Sequence, residues 1–157
     1  MLRTIATFVF AALLPSVASA DDDEGGFAPA PASSVFAKEC GACHMPYPAA
    51  FLPARSWSAI LDGLADHFGE DASLRPEPLG EIRAYLTANA ADAVGARGVL
   101  RGVADAETRL RITETPFWIR AHRGEVSEAD FASPRVKSKS NCIACHRGAA
   151  SGSFEDD

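Results

Sequence analysis

Long apolar runs are nearly missing from this 157-residue chain. The one run, Ile5 to Leu14, follows Arg3 and precedes Ala18-Ser19-Ala20 and the acidic Asp21 to Glu24. A bilayer-spanning helix needs about 20 apolar residues, so stable membrane insertion is excluded. The pattern is instead that of a secretory signal over residues 1–20. It implies export of a mature chain of 137 residues starting at Asp21. Positive charge is also short. Without Arg3, 14 basic residues face 21 acidic ones, a net charge of −7. That balance excludes nucleic acid and anionic lipid as partners and suits a partner with a basic face. No apolar–polar alternation of the kind a half-buried strand needs is present, so the fold is expected to be mostly α with substantial coil. Methionine is limited to Met1 and Met45, and there are four cysteines with none to spare.

Those four cysteines fall in two copies of one pattern, "CGACH" at Cys40 to His44 and "CIACH" at Cys142 to His146, 102 positions apart. In an exported protein four cysteines ordinarily suggest two disulfides, but a disulfide framework gives no reason for a histidine after each pair. A thioredoxin-like site needs one Cys-x-x-Cys and no histidine, and a structural zinc site would draw ligands from both copies. Residues i and i+3 of a helix share a face. Cys40 and Cys43 can therefore both form thioethers with one flat macrocycle, while His44 turns an imidazole nitrogen to its iron. Cys142, Cys145 and His146 repeat the arrangement. Two covalently bound haems of the c type are expected.

Each iron then has a second axial position. Met1 leaves with the signal, and Met45, next to His44, cannot reach the opposite haem face. Lys38, Lys137 and Lys139 all sit beside the attachment motifs. Two histidines remain, His67 and His122, and both are read as metal ligands. Trp57, Ile60, Leu61, Leu64 and Phe68 are spaced for an amphipathic helix over Arg55 to Phe68, with His67 on its apolar face and Gly69 as C-cap. Thr115 and Pro116 open a second helix through Phe117, Trp118 and Ile119 to His122, ended by Gly124. Proximity pairs His44 with His67 and His146 with His122. A crossed pairing, in which each half lends a ligand to the other, stays open at this level.

Along the chain, 21–32 reads as a flexible leader rich in Ala, Pro and Gly. Ser33 or Ser34 caps a helix into the first motif, and Ser73 and Pro76 open another bearing Leu79, Ile82, Tyr85 and Leu86. Residues 33–90 resemble a compact class I cytochrome c, in which an N-terminal helix carrying the motif crosses a C-terminal helix bearing an aromatic, here Tyr85. The histidine sixth ligand departs from that family, which generally has methionine. Ala90 to Arg111 is linker or weak helix, and 91–157 forms a smaller, irregular second haem module. Each half is too small for a large apolar core, so haem is expected to supply much of it.

Over most of its mature length the chain resembles the bacterial di-haem cytochrome c family called DHC. The resemblance rests on "ECGACHMPYPAAFLPARSW", "DHFGEDASL", "ITETPFWIRAH" and "KSKSNCIACHRGAASGSFED", in the family's order. It implies a periplasmic electron carrier with two bis-histidine haems. It also implies association with a small oxygen-binding monohaem cytochrome c and with membrane b-type cytochromes. Two histidines per iron leave no site for a substrate, so a carrier is expected rather than an enzyme. The alternatives are a di-haem peroxidase or reductase, for which no distal acid–base groups are identifiable, and a gas or redox sensor, for which no signalling domain is evident.

Overall fold

The computed structural model describes residues 26–155. The expected export signal and the first part of the leader, residues 21–25, lie outside the described residues. Within them the fold is helical and rich in coil, with no strand beyond an isolated bridge between His67 and Glu70.

Helix α1, Val35–Cys40, is capped by Ser34, whose hydroxyl accepts from the Ala37 N–H at 3.1 Å. It delivers Cys40 and turns Phe36 into the core. Pro46, Pro48 and Pro53 then hold the chain irregular until α2, Ala54–Asp62. Asp92, far away in sequence, satisfies the first turn of α2 by accepting from the Ala54 N–H at 2.8 Å. Trp57 is buried and donates its indole N–H to the Ala49 carbonyl at 2.7 Å, an outlet a buried indole requires.

Helix α3, Pro76–Ala88, begins with proline at its first turn, where a missing N–H costs nothing. It packs across α1 and α2. Its N-cap is Arg75; Ser73, expected to help open it, is engaged instead with Asp71 through its backbone N–H. Ile82 and Leu86 are buried, and Tyr85 stacks on Phe36 with ring centroids 5.4 Å apart. The crossing of a motif-bearing helix by an aromatic-bearing one is therefore present. Phe36, Leu52, Trp57, Leu61, Ile82 and Leu86 form the main core, all of it before residue 91.

The linker is ordered by contacts with its neighbours. Ala90 and Ala91 are buried, and Arg55 donates to the carbonyls of Glu107 (2.6 Å) and Ala104 (3.0 Å). Helix α4, Arg97–Leu100, packs on α5, Pro116–His122, and Arg120 fastens the two by donating to the carbonyls of Arg101 and Gly98. Helix α6, Glu128–Phe131, starts with a reciprocal Ser127–Asp130 capping box. Beyond Ala91, only Val99, Val136 and Ala149 are buried apolar residues among those described. The second half is organised by backbone turns and caps more than by an apolar core of its own.

Candidate functional site

The four histidines come together as two facing pairs. The His44 and His67 ring centroids are 6.2 Å apart with planes 23° from parallel. Those of His122 and His146 are 6.1 Å apart with planes 82° apart. Two imidazoles bound to one first-row metal at about 2.0–2.1 Å on opposite sides place their centroids about 6 Å apart, so both pairs have the spacing a shared metal requires. The rings that lie near each other are those close in sequence. Among the described residues, no group of three or more His, Cys, Asp and Glu gathers as a metal cage of side chains would.

His44 leaves the turn after α1. Its Nδ1 lies 2.7 Å from the Met45 carbonyl. A carbonyl only accepts, so Nδ1 carries the proton and Nε2 keeps its lone pair for a metal. Tyr47 stacks on the same ring at 4.9 Å and donates its hydroxyl to the Ser140 carbonyl at 2.8 Å. One side chain thus touches the first histidine pair and the approach to the second motif.

His67 is not on a helix. The expected helix to Phe68 stops at Asp62, and Gly63, rather than Gly69, is its C-cap. A 3-10 turn over Leu64–Asp66 follows, and His67 itself has φ −80° and ψ 79°. Its N–H donates to the Glu70 carbonyl at 2.7 Å. Phe68 and Gly69 both take positive φ, and Asp66 accepts from the Gly69 N–H at 3.0 Å. The apolar spacing continues past Gly63, but the backbone hydrogen bonds are satisfied by this tight loop. Arg111 lies over the Phe68 ring at 4.0 Å and pins the loop from the second half. Burial, then the neighbouring His44 and Arg111, lower the His67 pKa and favour its neutral, ligating form.

His122 stands where the sequence puts it, at the end of α5. Thr115 caps the helix, its hydroxyl accepting from the Trp118 N–H at 3.2 Å and donating to the Ile112 carbonyl at 2.7 Å. The His122 Nδ1 donates to the Trp118 carbonyl one turn back at 2.8 Å, again leaving Nε2 free. The ring stacks on Trp118 at 4.2 Å. His146 follows a 3-10 turn, Cys142–Ala144, and its N–H donates to the Cys142 carbonyl at 2.8 Å. A cavity of about 440 Å³ opens between these residues, edged by Cys142, Cys145, His122 and His146 and walled by aromatic rings.

All four cysteines are free. Burial, with Glu39 nearby, pushes the Cys40 thiol up to about 11, and burial raises Cys142 as well. A redox-active Cys-x-x-Cys needs a lowered thiol pKa, so the dithiol reading finds no support. The donors fit covalently attached haem: two cysteines per motif for thioethers, and for each iron a pair of imidazoles. Sequence reasoning missed Tyr47, Arg111 and Trp118 as residues that orient the histidines. The signal was there for Trp118, four positions before His122, and for Tyr47, three after His44.

The comparisons agree with this geometry. The family model described as "Dihaem cytochrome c" matches residues 36–154. The chain is similar to the solved "Diheme cytochrome c from Rhodobacter sphaeroides", with 52% identity, a TM-score of 0.72, and 76% of this chain and 94% of that one covered. It is also similar to the diheme cytochrome c of Shewanella baltica OS155, with 36% identity, a TM-score of 0.65, and 80% and 89% covered. No curated protein matches. The chain belongs to the dihaem cytochrome c family, as a c-type electron-transfer cytochrome with two covalently bound haems.

Proposed function

We propose that the protein is an exported, periplasmic electron carrier whose two haem irons are each held by two histidines. His44 pairs with His67 on the first, and His146 with His122 on the second. The observation that carries this reading is the spacing of the facing rings, 6.2 and 6.1 Å, with Nε2 left free on His44 and His122. Bound haem supplies reversible one-electron iron chemistry. The chain supplies the rest. Cys40, Cys43, Cys142 and Cys145 would anchor the macrocycles, and the four histidines would hold the irons and keep substrates off the metal. Histidine on both faces also favours a lower potential than a histidine–methionine pair.

The electrons pass between redox proteins. A net charge of −7 after signal removal favours a partner with a basic face. A small oxygen-binding monohaem cytochrome c and a membrane b-type cytochrome are the partners the family resemblance suggests. Carbon monoxide added to the reduced holoprotein tests the ligation. The proposal expects an unchanged low-spin spectrum, and a CO-binding fraction would point to an open haem and to enzyme or sensor chemistry instead.

A further inference from the structure

Phe27 lies in the leader, outside the 36–154 stretch that the family model matches. It is nonetheless fixed. Its N–H donates to the Gly152 carbonyl at 2.8 Å, and its ring packs edge-on against Phe51 (4.5 Å), Phe117 (5.8 Å) and Phe154 (5.9 Å). Gly152 has φ +87°, and a Cβ there would overlap the Phe27 carbonyl oxygen. A Cβ on Gly26 would press on the Gly152 carbonyl at 2.9 Å. Leader and tail therefore meet backbone to backbone, an approach glycine permits at these positions. The four rings come from four places in the chain: the leader, the turn after the first motif, α5 and the tail. Together they wall the cavity that His122 and His146 share, and Phe154 lies 5.7 Å from the His146 ring.

We infer that Phe27 sets the potential of the second haem by closing the apolar wall of its site against water. The inference rests on the proposed bis-histidine ligation. A ferric haem carries one more positive charge than a ferrous one. A dry apolar wall therefore favours the reduced state, and water favours the oxidised state. The effect belongs to one site, because the aromatic neighbours of the first pair, Tyr47 and Phe68, are not part of the four-ring wall.

A redox titration of the mature holoprotein, followed in the haem absorption bands, tests this with Phe27→Ala and Phe27→Leu. In Phe27→Ala one component should lose about tenfold in its reduction equilibrium constant, about 59 mV for a one-electron couple, while the other stays in place. Phe27→Leu keeps an apolar plug and should retain most of the unaltered potential. Unchanged potentials in a CO-inert Phe27→Ala protein would overturn this inference alone. So would a common shift of both haems, or a Phe27→Leu protein that falls as far as Phe27→Ala. A CO-binding fraction in the unaltered protein would overturn the ligation reading and this inference with it.

Discussion

His67 and His122 hold matching places opposite the motif histidines, but by different means. His122 is locked by its own helix, with Nδ1 on the Trp118 carbonyl and its ring on the Trp118 indole. His67 rides a loop kept in shape by a left-handed Phe68, by Asp66 and by the Arg111 guanidinium. His67→Gly should turn one haem high-spin and CO-binding and leave the other low-spin, as read by absorption before and after CO. An unchanged spectrum would remove His67 as a ligand. The two histidines that face the motif histidines were legible by elimination, as the ones outside the motifs. The loop around His67 was not. Ile60, Leu64 and Phe68 keep helical spacing, while Arg111, which stabilises the alternative, is more than forty positions away.

At the scale of elements, α5 is seven residues long, too short to hold by propensity alone. Thr115 and Pro116 at its start and the Arg120 contacts with α4 give it its place. Thr115 is buried and its hydroxyl is used twice. Thr115→Ala should cost about 1–2 kcal/mol, measured by denaturant unfolding of the holoprotein, and Thr115→Ser should recover most of it. A loss equal in both variants would mean that the methyl group, and not the cap, is what matters. This cap could be read from sequence, as could Ser34 at α1, since both depend on neighbours within three residues. The linker could not, since its order comes from Arg55 reaching Ala104 and Glu107 and from buried Ala90 and Ala91.

In the whole molecule, Tyr47, Arg55 and Arg111 each join a part of the first half to a part of the second, and the four-phenylalanine wall adds leader and tail. The acidic surface gives the molecule a long-range field. Electron transfer to a basic-faced partner should slow as salt rises toward 0.1 M, where screening cuts steering beyond about 10 Å. Stopped-flow rates would show it, and a flat or rising dependence would place the contact on apolar surface or on the basic stretch from Arg135 to Lys139. The central claim, two irons each held by a facing histidine pair, is tested most directly by electron paramagnetic resonance of the oxidised holoprotein. Imidazole planes set how the iron orbitals split. The near-parallel pair, 23° apart, should give a rhombic low-spin signal, and the near-perpendicular pair, 82° apart, a strongly anisotropic low-spin one. Two such signals of equal weight, with no high-spin component, are the predicted result, and a high-spin iron or a single low-spin type would contradict the account.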